Sequence, residues 1–286
     1  MSTLFKLLRI KHWIKNFTIF LPAFFGGIFF NLDNVFKLSL VFIVFCICAS
    51  MVYIFNDLRD YENDKLHPSK KNRPIASGAI SKGFAKIVLL ILLILAASLS
   101  YFLKFGEEVL IVLGIYITSN ILYSLYLKKV PIIELLIVTI GFVLRIIIGA
   151  ATVSITPSKW IIIVTFFIAL YLVITKRRGE FTNNKSSSRE VLKSYNLAFI
   201  DAIMYISLTA SLISYLMYSV EINLSERFHT DYIYVTTVFV VIILMRHLQQ
   251  TLVYGKTESP ISYFYSDAIN FVSIIGFLLT FYFLIY

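Results

Sequence analysis

The feature that most constrains this chain is a recurrence of long apolar runs. Nine of them lie at roughly 16–31, 37–56, 84–103, 108–127, 131–150, 158–175, 198–219, 231–247 and 266–285. A helix needs about 20 apolar residues to cross a bilayer. Inside hydrocarbon every backbone amide must be paired within the protein, so only helices and closed barrels can span. The two-residue alternation of a barrel is absent here. The expected fold is all-α: a polytopic membrane protein of nine transmembrane helices. The first run is the weakest, broken by Pro22, Gly26 and Gly27. Composition agrees. The chain is 59% apolar and 15% charged, against roughly 45–50% and 25% in soluble domains. That excess excludes a soluble core, a disordered chain and a disulfide scaffold. Cys46 and Cys48 stand two apart inside a run, which suits buried small hydrophobes and gives no disulfide framework or zinc spacing.

The net charge of +10 has an explanation that needs no nucleic acid: Lys and Arg accumulate in cytoplasmic loops. With the N-terminus cytoplasmic, the N-terminal segment and the even-numbered loops hold 21 of the 26 Lys and Arg. The other side holds Lys37, Lys104, Lys159 and Arg227, and Arg145 lies within a span. The expectation is N-in and C-out, with no cleavable signal peptide, and with Trp13 and Trp160 as interface residues. Two polar connections are long, 57–83 and 176–197. The other loops leave no room for a soluble domain, so residues 1–286 read as a single transmembrane domain capped by these two loops. Within the second, Asn183 to Ser188 is expected to be a mobile, lid-like loop.

The second run ends in Tyr53-Ile54-Phe55-Asn56-Asp57-Leu58-Arg59-Asp60-Tyr61-Glu62-Asn63-Asp64. Offsets of three and four share a helix face. Asp57, Asp60 and Asp64 therefore form an acidic stripe with Asn56 beside it and Tyr53 one turn before. Like charges one turn apart repel, so a compensating cation is expected. Oxygen ligands without sulfur or imidazole favour Mg²⁺, which takes one or two carboxylates plus phosphates and water. A solvated helix end whose acids pair with nearby lysines is the alternative. Pro68, Pro74 and Gly78 then break the chain and hold Lys70, Lys71 and Arg73 on a turn beyond the acids. Carboxylates, a metal and a basic clamp suit a diphosphate.

Other polar positions point the same way. Lys128 is the first charge after the fourth run, where it can snorkel or bind phosphate. Arg145 sits deep in the fifth run, one turn from Gly141 and from Gly149. A membrane-depth arginine costs about 2.5–3.5 kcal/mol on insertion scales and must face a polar cavity or an anion. Arginine can grip phosphate bidentately. The sixth run ends in Lys176-Arg177-Arg178-Gly179-Glu180, a basic cap with one acid. Asp201, Arg246, His247 and Asp267 lie near span ends and carry no assigned role.

Asn56-Asp57-x-x-Asp60-x-x-x-Asp64 resembles the first aspartate motif of the UbiA-type membrane prenyltransferase superfamily. His67-Pro68-x-Lys70-x-x-Arg73-Pro74-Ile75-Ala76-x-Gly78 and His12-Trp13-Ile14-Lys15-Asn16 are similar to elements of its decaprenyl-phosphate phosphoribosyltransferase subgroup. The resemblance implies nine helices around a central cavity that opens sideways to lipid. It implies transfer of 5-phosphoribosyl from 5-phosphoribosyl 1-diphosphate to a polyprenyl phosphate, with release of diphosphate, in a bacterial inner (plasma) membrane, with the active site on the cytoplasmic side. Mg²⁺ would be held by Asn56, Asp57, Asp60 and Asp64. Asp57, Asp60 and Arg145 would be catalytic. Lys15, Tyr53, Lys70, Arg73, Lys128, Lys176 and Arg177 would bind donor phosphates, Lys128 and Arg145 would meet the acceptor phosphate, and Tyr123 and Glu180 would line the pocket. A homo-oligomer is compatible with this reading. Members that prenylate aromatic rings carry a second aspartate-rich motif near residues 176–180, and this chain does not. The rival readings are such an aromatic prenyltransferase, a cation-binding transporter and a noncatalytic lipid-binding protein.

Overall fold

A computed structural model describes residues 3–67, 70–182, 190–221, 226–257 and 260–286. Among the described residues there is no β-strand, and eight helices are long and apolar enough to cross a membrane. They are α1 (Leu32–Arg59), α2 (Lys82–Phe102), α3 (Glu107–Leu125), α4 (Ile133–Thr152), α5 (Lys159–Thr182), α6 (Leu197–Ser219), α7 (Ile233–Leu252, opening in a 3-10 turn) and α8 (Ala268–Ile285). They answer to eight of the nine apolar runs. The first run, 16–31, is not one helix. Ile10–Phe20 winds as a 3-10 segment, Leu21–Phe25 as a short α-helix, and the chain then turns at Gly26 and Gly27, the latter at φ 70°. Pro22 explains the break. Its missing N–H is harmless at a helix start and disruptive in the interior.

Four of the helix starts follow from short polar side chains that accept otherwise orphaned amide hydrogens. Asn31 caps α1 by accepting from the amides of Asp33 and Asn34, at 2.9 and 3.3 Å. Ser81 caps α2 through the Phe84 amide at 3.1 Å, and Asn196 caps α6 through Phe199 at 2.7 Å. Asp267 does the same for α8 through Asn270 at 3.2 Å. Arg246 hydrogen-bonds Asp267 and holds its carboxyl down at about 2.

The chain resolves into two compact units, Met1–Ile137 with Leu144–Thr156, and Val138–Val143 with Pro157–Tyr286. In the first unit α1 is the hub, with α2, α3 and the 3-10 segment all packed on it. The burial pattern says why: 67% of the most apolar stretch of α1 is buried, against 11% of that of α2. The core joins Val41, Val44, Phe45 and Cys48 of α1 to Val112 and Leu113 of α3 and Ile148 of α4. Both cysteines are free and buried. The 3-10 segment approaches α4 at Gly149, where a Cβ would stand 2.0 Å from the Ile19 carbonyl oxygen. In the second unit α5 packs along α6 and α7 along α8. Gly276 of α8 gives room to the Phe239 ring of α7, which a Cβ would approach to 2.5 Å.

Gly149→Ala should therefore lower stability in detergent unfolding by about 1–3 kcal/mol, the usual range for overpacking. Gly114→Ala, whose Cβ meets nothing within 4 Å, should leave stability unchanged or raise it by roughly 0.5–1 kcal/mol, as Gly→Ala does in a helix interior. Chemical melts of the two variants check this contrast.

Candidate functional site: a carboxylate and cation cluster at the end of the first long helix

At the C-terminal end of α1 the apolar sequence gives way to acids. Asp57 and Asp64 are each only 3% exposed. Charges withdrawn from water to that degree must be paired. Arg73 Nη1 donates to Asp57 Oδ1 at 3.0 Å and to Asp64 Oδ2 at 2.5 Å. Arg9 Nη2 donates to the same Asp57 oxygen at 2.5 Å, and its guanidinium lies 4.8 Å over the Tyr53 ring. Asp57 and Asp64 of the acidic stripe are thus neutralised by the protein's own guanidinium groups. Burial pushes the Asp64 carboxyl above the ordinary aspartate range, and Arg73 and Lys70 pull it back.

Both arginines are held by their surroundings. Arg73 precedes Pro74, Ile75 and Ala76, which are buried; Ile75 packs with Leu7, Ile54 and Ala85. That apolar anchor fixes the loop after α1 so that Arg73 points back at the carboxylates. Arg9 stands at φ 51°, in the left-handed region, and starts the 3-10 segment. Trp13 Nε1 donates to Ser50 Oγ at 3.1 Å, and Ser50 Oγ donates to the Leu8 carbonyl at 2.8 Å. These bonds hold the segment on α1. Trp13 is therefore a packing residue of this unit.

Asn56 and Asp60 look the other way. Ser124 Oγ of α3 donates to Asn56 Oδ1 at 3.2 Å, and Lys128 pairs with Asp60. Both pairs are four residues apart on their own segments, so they form two rungs between the ends of α1 and α3. Asp60 is 20% exposed, more open than Asp57 or Asp64. Tyr123 is part-exposed next to Ser124. The backbone amide of Lys70 donates to His67 Nδ1 at 3.2 Å. Tyr53 lies within electrostatic reach of Lys15, Arg145, Arg9 and Asp57, and the His12 ring is 5.4 Å from its own.

Arg145, 5% exposed, is buried at the middle of the unit. Its Nε donates to Asn16 Oδ1 at 2.8 Å and its Nη2 to the Tyr116 hydroxyl at 3.4 Å. The guanidinium lies 4.8 Å over Phe45 and 5.2 Å over Tyr116. Asn16 in turn donates to Cys46 Sγ at 3.1 Å. One reason for glycine near Arg145 is now explicit: Gly149 admits the backbone of the segment that carries Asn16.

The basic cap after the sixth run lies in the second unit, at the end of α5. Lys176 is exposed, whereas Arg177 is buried and donates to both Glu180 oxygens at 3.2 and 3.3 Å. Arg178 bonds Asp201 of α6 at 2.7 Å. Gly179 is tight against Thr257, whose Oγ1 would stand 2.0 Å from a Cβ. Glu180 is therefore a partner of Arg177 in this structure. The 183–188 loop lies outside the described residues.

Does the first unit fit a divalent cation? Among the described residues no group of three or more His, Cys, Asp or Glu is gathered closely enough to hold one. Asn56 and Asp60 nevertheless supply hard oxygen donors one turn apart, and Asp60 is partly open with a flexible lysine as its partner. Mg²⁺ needs one or two carboxylates when substrate phosphates and water complete its shell. The donor set fits that requirement.

Eight membrane-length helices with this cluster define a multi-pass helical membrane protein. Residues 19–275 match the UbiA prenyltransferase family. The chain belongs to that family. It is 31% identical to a decaprenyl-phosphate phosphoribosyltransferase of Corynebacterium glutamicum over 223 residues, 76% of this chain and 67% of that one. The protein of the same name from Mycolicibacterium smegmatis is 32% identical over 221 residues, 75% and 69% of the two chains. A UbiA homolog from Archaeoglobus fulgidus, solved bound to GPP and Mg²⁺, has the same fold at a TM-score of 0.69 and 17% identity, over 99% of both chains.

Sequence reasoning did not single out Arg9, Ser50, Tyr116 or Ser124. Arg9 looked like one more positive-inside residue, and the others carry no charge that would have marked them. Asn16 was visible in the Trp-x-Lys-Asn element, without a role.

Arg73→Ala leaves two buried carboxylates short of a cation. Breaking a buried pair costs about 3–5 kcal/mol, and Arg73 keeps 24% of its side chain exposed. The expected loss is about 3 kcal/mol, read by detergent unfolding. The double variant with Asp64→Asn should recover part of it, and additive losses would refute the pairing as the cause.

Proposed function

We propose that the chain transfers 5-phosphoribosyl from 5-phosphoribosyl 1-diphosphate to a polyprenyl phosphate, making polyprenyl-phosphoryl 5-phosphoribose for cell-envelope glycan synthesis. The observation that carries this reading is the concentration of organised cations. Arg9, Arg73, Lys128 and Arg145 are all fixed within one unit, by partners on several chain segments. A donor with a 5-phosphate and a diphosphate, and an acceptor with its own phosphate, call for more positive charge than a prenyl diphosphate alone. The similarity to proteins named decaprenyl-phosphate phosphoribosyltransferase supports the same choice.

In this reading an oxygen of the lipid phosphate attacks the anomeric carbon while the carbon–diphosphate bond breaks. Asn56 and Asp60 would hold Mg²⁺, joined by Asp57 and Asp64. The chemistry it would supply there is positive charge for the departing diphosphate. Lys15, Tyr53, Lys70 and Arg73 receive donor phosphates, and Tyr123 lines the pocket. Lys128 leaves Asp60 to meet phosphate, and Arg145 presents the acceptor phosphate. A phosphate monoester is largely ionised near neutrality, so no strong general base is required and catalysis is positioning plus electrostatics.

We take residues 1–286 as one functional transmembrane domain with loops 57–83 and 176–197 as its cap. The excess of Lys and Arg at the carboxylate end supports a cytoplasmic N-terminus and site in a bacterial inner membrane, with the broken 10–25 segment as the ninth membrane element.

Purified protein, Mg²⁺, a polyprenyl phosphate and radiolabelled phosphoribosyl diphosphate test this. Label should enter the lipid phase. Chelating the metal should stop transfer, and Asp60→Asn should slow it by about 10²–10³-fold, the usual loss for one electrostatic group. Arg145→Lys should weaken acceptor use more than donor use. No transfer by folded protein, with prenyl diphosphate consumed on an aromatic acceptor instead, would replace this reading with aromatic prenylation.

A further inference from the structure

Within the first unit, α1, α2 and α3 leave between them an apolar groove of about 570 Å³. Its walls include Cys48 and Met51 of α1, Leu93 and Ala97 of α2, and Gly114 and Ile117 of α3. It reaches Tyr101 and Lys104, at and just beyond the end of α2. None of these residues belongs to the carboxylate and cation cluster.

Three observations say what such a groove holds. The first is its position. Lys82, which opens α2, pairs with Glu62 beside the carboxylates at 3.3 Å. Lys104 follows the other end of that 21-residue helix, about 30 Å away at 1.5 Å per residue. From Leu93 to the end of α2 at Phe102 the groove runs about 14 Å along the helix, with Lys104 just beyond, close to half of a hydrocarbon core about 30 Å thick. It has the depth of one leaflet, the one opposite the carboxylates.

The second is Gly114. Glycine is unfavourable inside a helix unless something must come close. Gly149, Gly179 and Gly276 each have such a neighbour, at 2.0, 2.0 and 2.5 Å from a built Cβ. Gly114 has nothing within 4 Å. No protein atom accounts for its missing side chain, and the groove does.

The third is charge. Lys104 takes the left-handed position after the helix, at φ 51°, where glycine is usual. It is exposed and forms no ion pair among the described residues. Glu107 and Glu108 begin α3 and do not line the groove. A cation beside an exposed tyrosine, at the headgroup end of an apolar channel one leaflet deep, complements a lipid phosphate.

We propose that this groove binds one acyl chain of an anionic phospholipid of the leaflet opposite the carboxylate cluster, with the lipid phosphate on Lys104 and Tyr101 beside it. The proposal stands independently of the transfer reaction above.

Native mass spectrometry of the purified full chain tests it, with phosphatidylglycerol or phosphatidylcholine added in detergent. The wild type should retain phosphatidylglycerol in preference. Lys104→Gln should reduce that preference by about fivefold, the factor one lysine contributes near an anionic surface, while chain binding persists. Gly114→Leu should fill the groove and lose the retained lipid of either kind. If its melting curve shows that it does not fold, Ala97→Leu on the facing wall gives the same readout. Lipid retention unchanged in both Lys104→Gln and the filled variant would overturn the proposal. So would displacement of phosphatidylglycerol by a polyprenyl phosphate in a Gly114-dependent manner, since the groove would then hold the acceptor tail.

Discussion

Asp57 cannot sit where it does without Arg9 and Arg73. A carboxylate that is 3% exposed at the end of an apolar helix has lost its water, and only a cation with good hydrogen-bond geometry makes that tolerable. Two guanidinium groups converge on one of its oxygens. One comes from the N-terminal segment and the other from the loop after α1. Asp64 repeats the demand through Arg73. The charge requirement thus fixes three separate pieces of chain against one another, and apolar burial of Leu7, Ile54, Ile75 and Ala85 supports the same joint.

A second tie works deeper in the same unit. Arg145 is kept in a nearly dry setting by Asn16, Tyr116 and the ring of Phe45. Asn16 can reach it because Gly149 lets the 3-10 segment approach α4 at backbone distance. The segment that breaks at Pro22 is thereby held by polar contacts at Arg9, Trp13 and Asn16 rather than by a continuous helix. An arginine placed this way presents a defined guanidinium plane, which is what recognition of a phosphate requires.

The second unit solves the same problem with different partners. Arg178 pairs with Asp201, Arg177 with Glu180, and Arg246 with Asp267, which also accepts from Gln250 at 2.5 Å. The first pair joins α5 to α6, the second lies within α5, and the third joins α7 to the cap of α8. Charges at the ends of spanning helices are expensive in lipid, and here Arg177, Arg178 and Arg246 are each neutralised by a nearby carboxylate.

Eight of the nine apolar runs are long helices because apolar length and backbone satisfaction leave a bilayer segment little choice. The acidic stripe and the basic turn were equally legible, since helical spacing puts Asp57, Asp60 and Asp64 on one side and prolines stop the helix after them. Sequence periodicity is local, however, and pairing is not. That Asp57 and Asp64 share Arg73, that Arg9 closes over Tyr53, and that Asp60 faces Lys128 across a gap of 68 residues are outcomes of packing. The first run departs from one long helix for the same reason: its hydropathy is that of a span, and Pro22 and two glycines gave it a shape that contact with α1 and α4 selects. The sequence by itself determined membrane residence, helical content and which end carries the charged chemistry, because these follow from transfer free energy and helix pitch. Tertiary structure alone decided which charge neutralises which, because a guanidinium two turns or a hundred residues away is equally available until the core brings it within 3 Å.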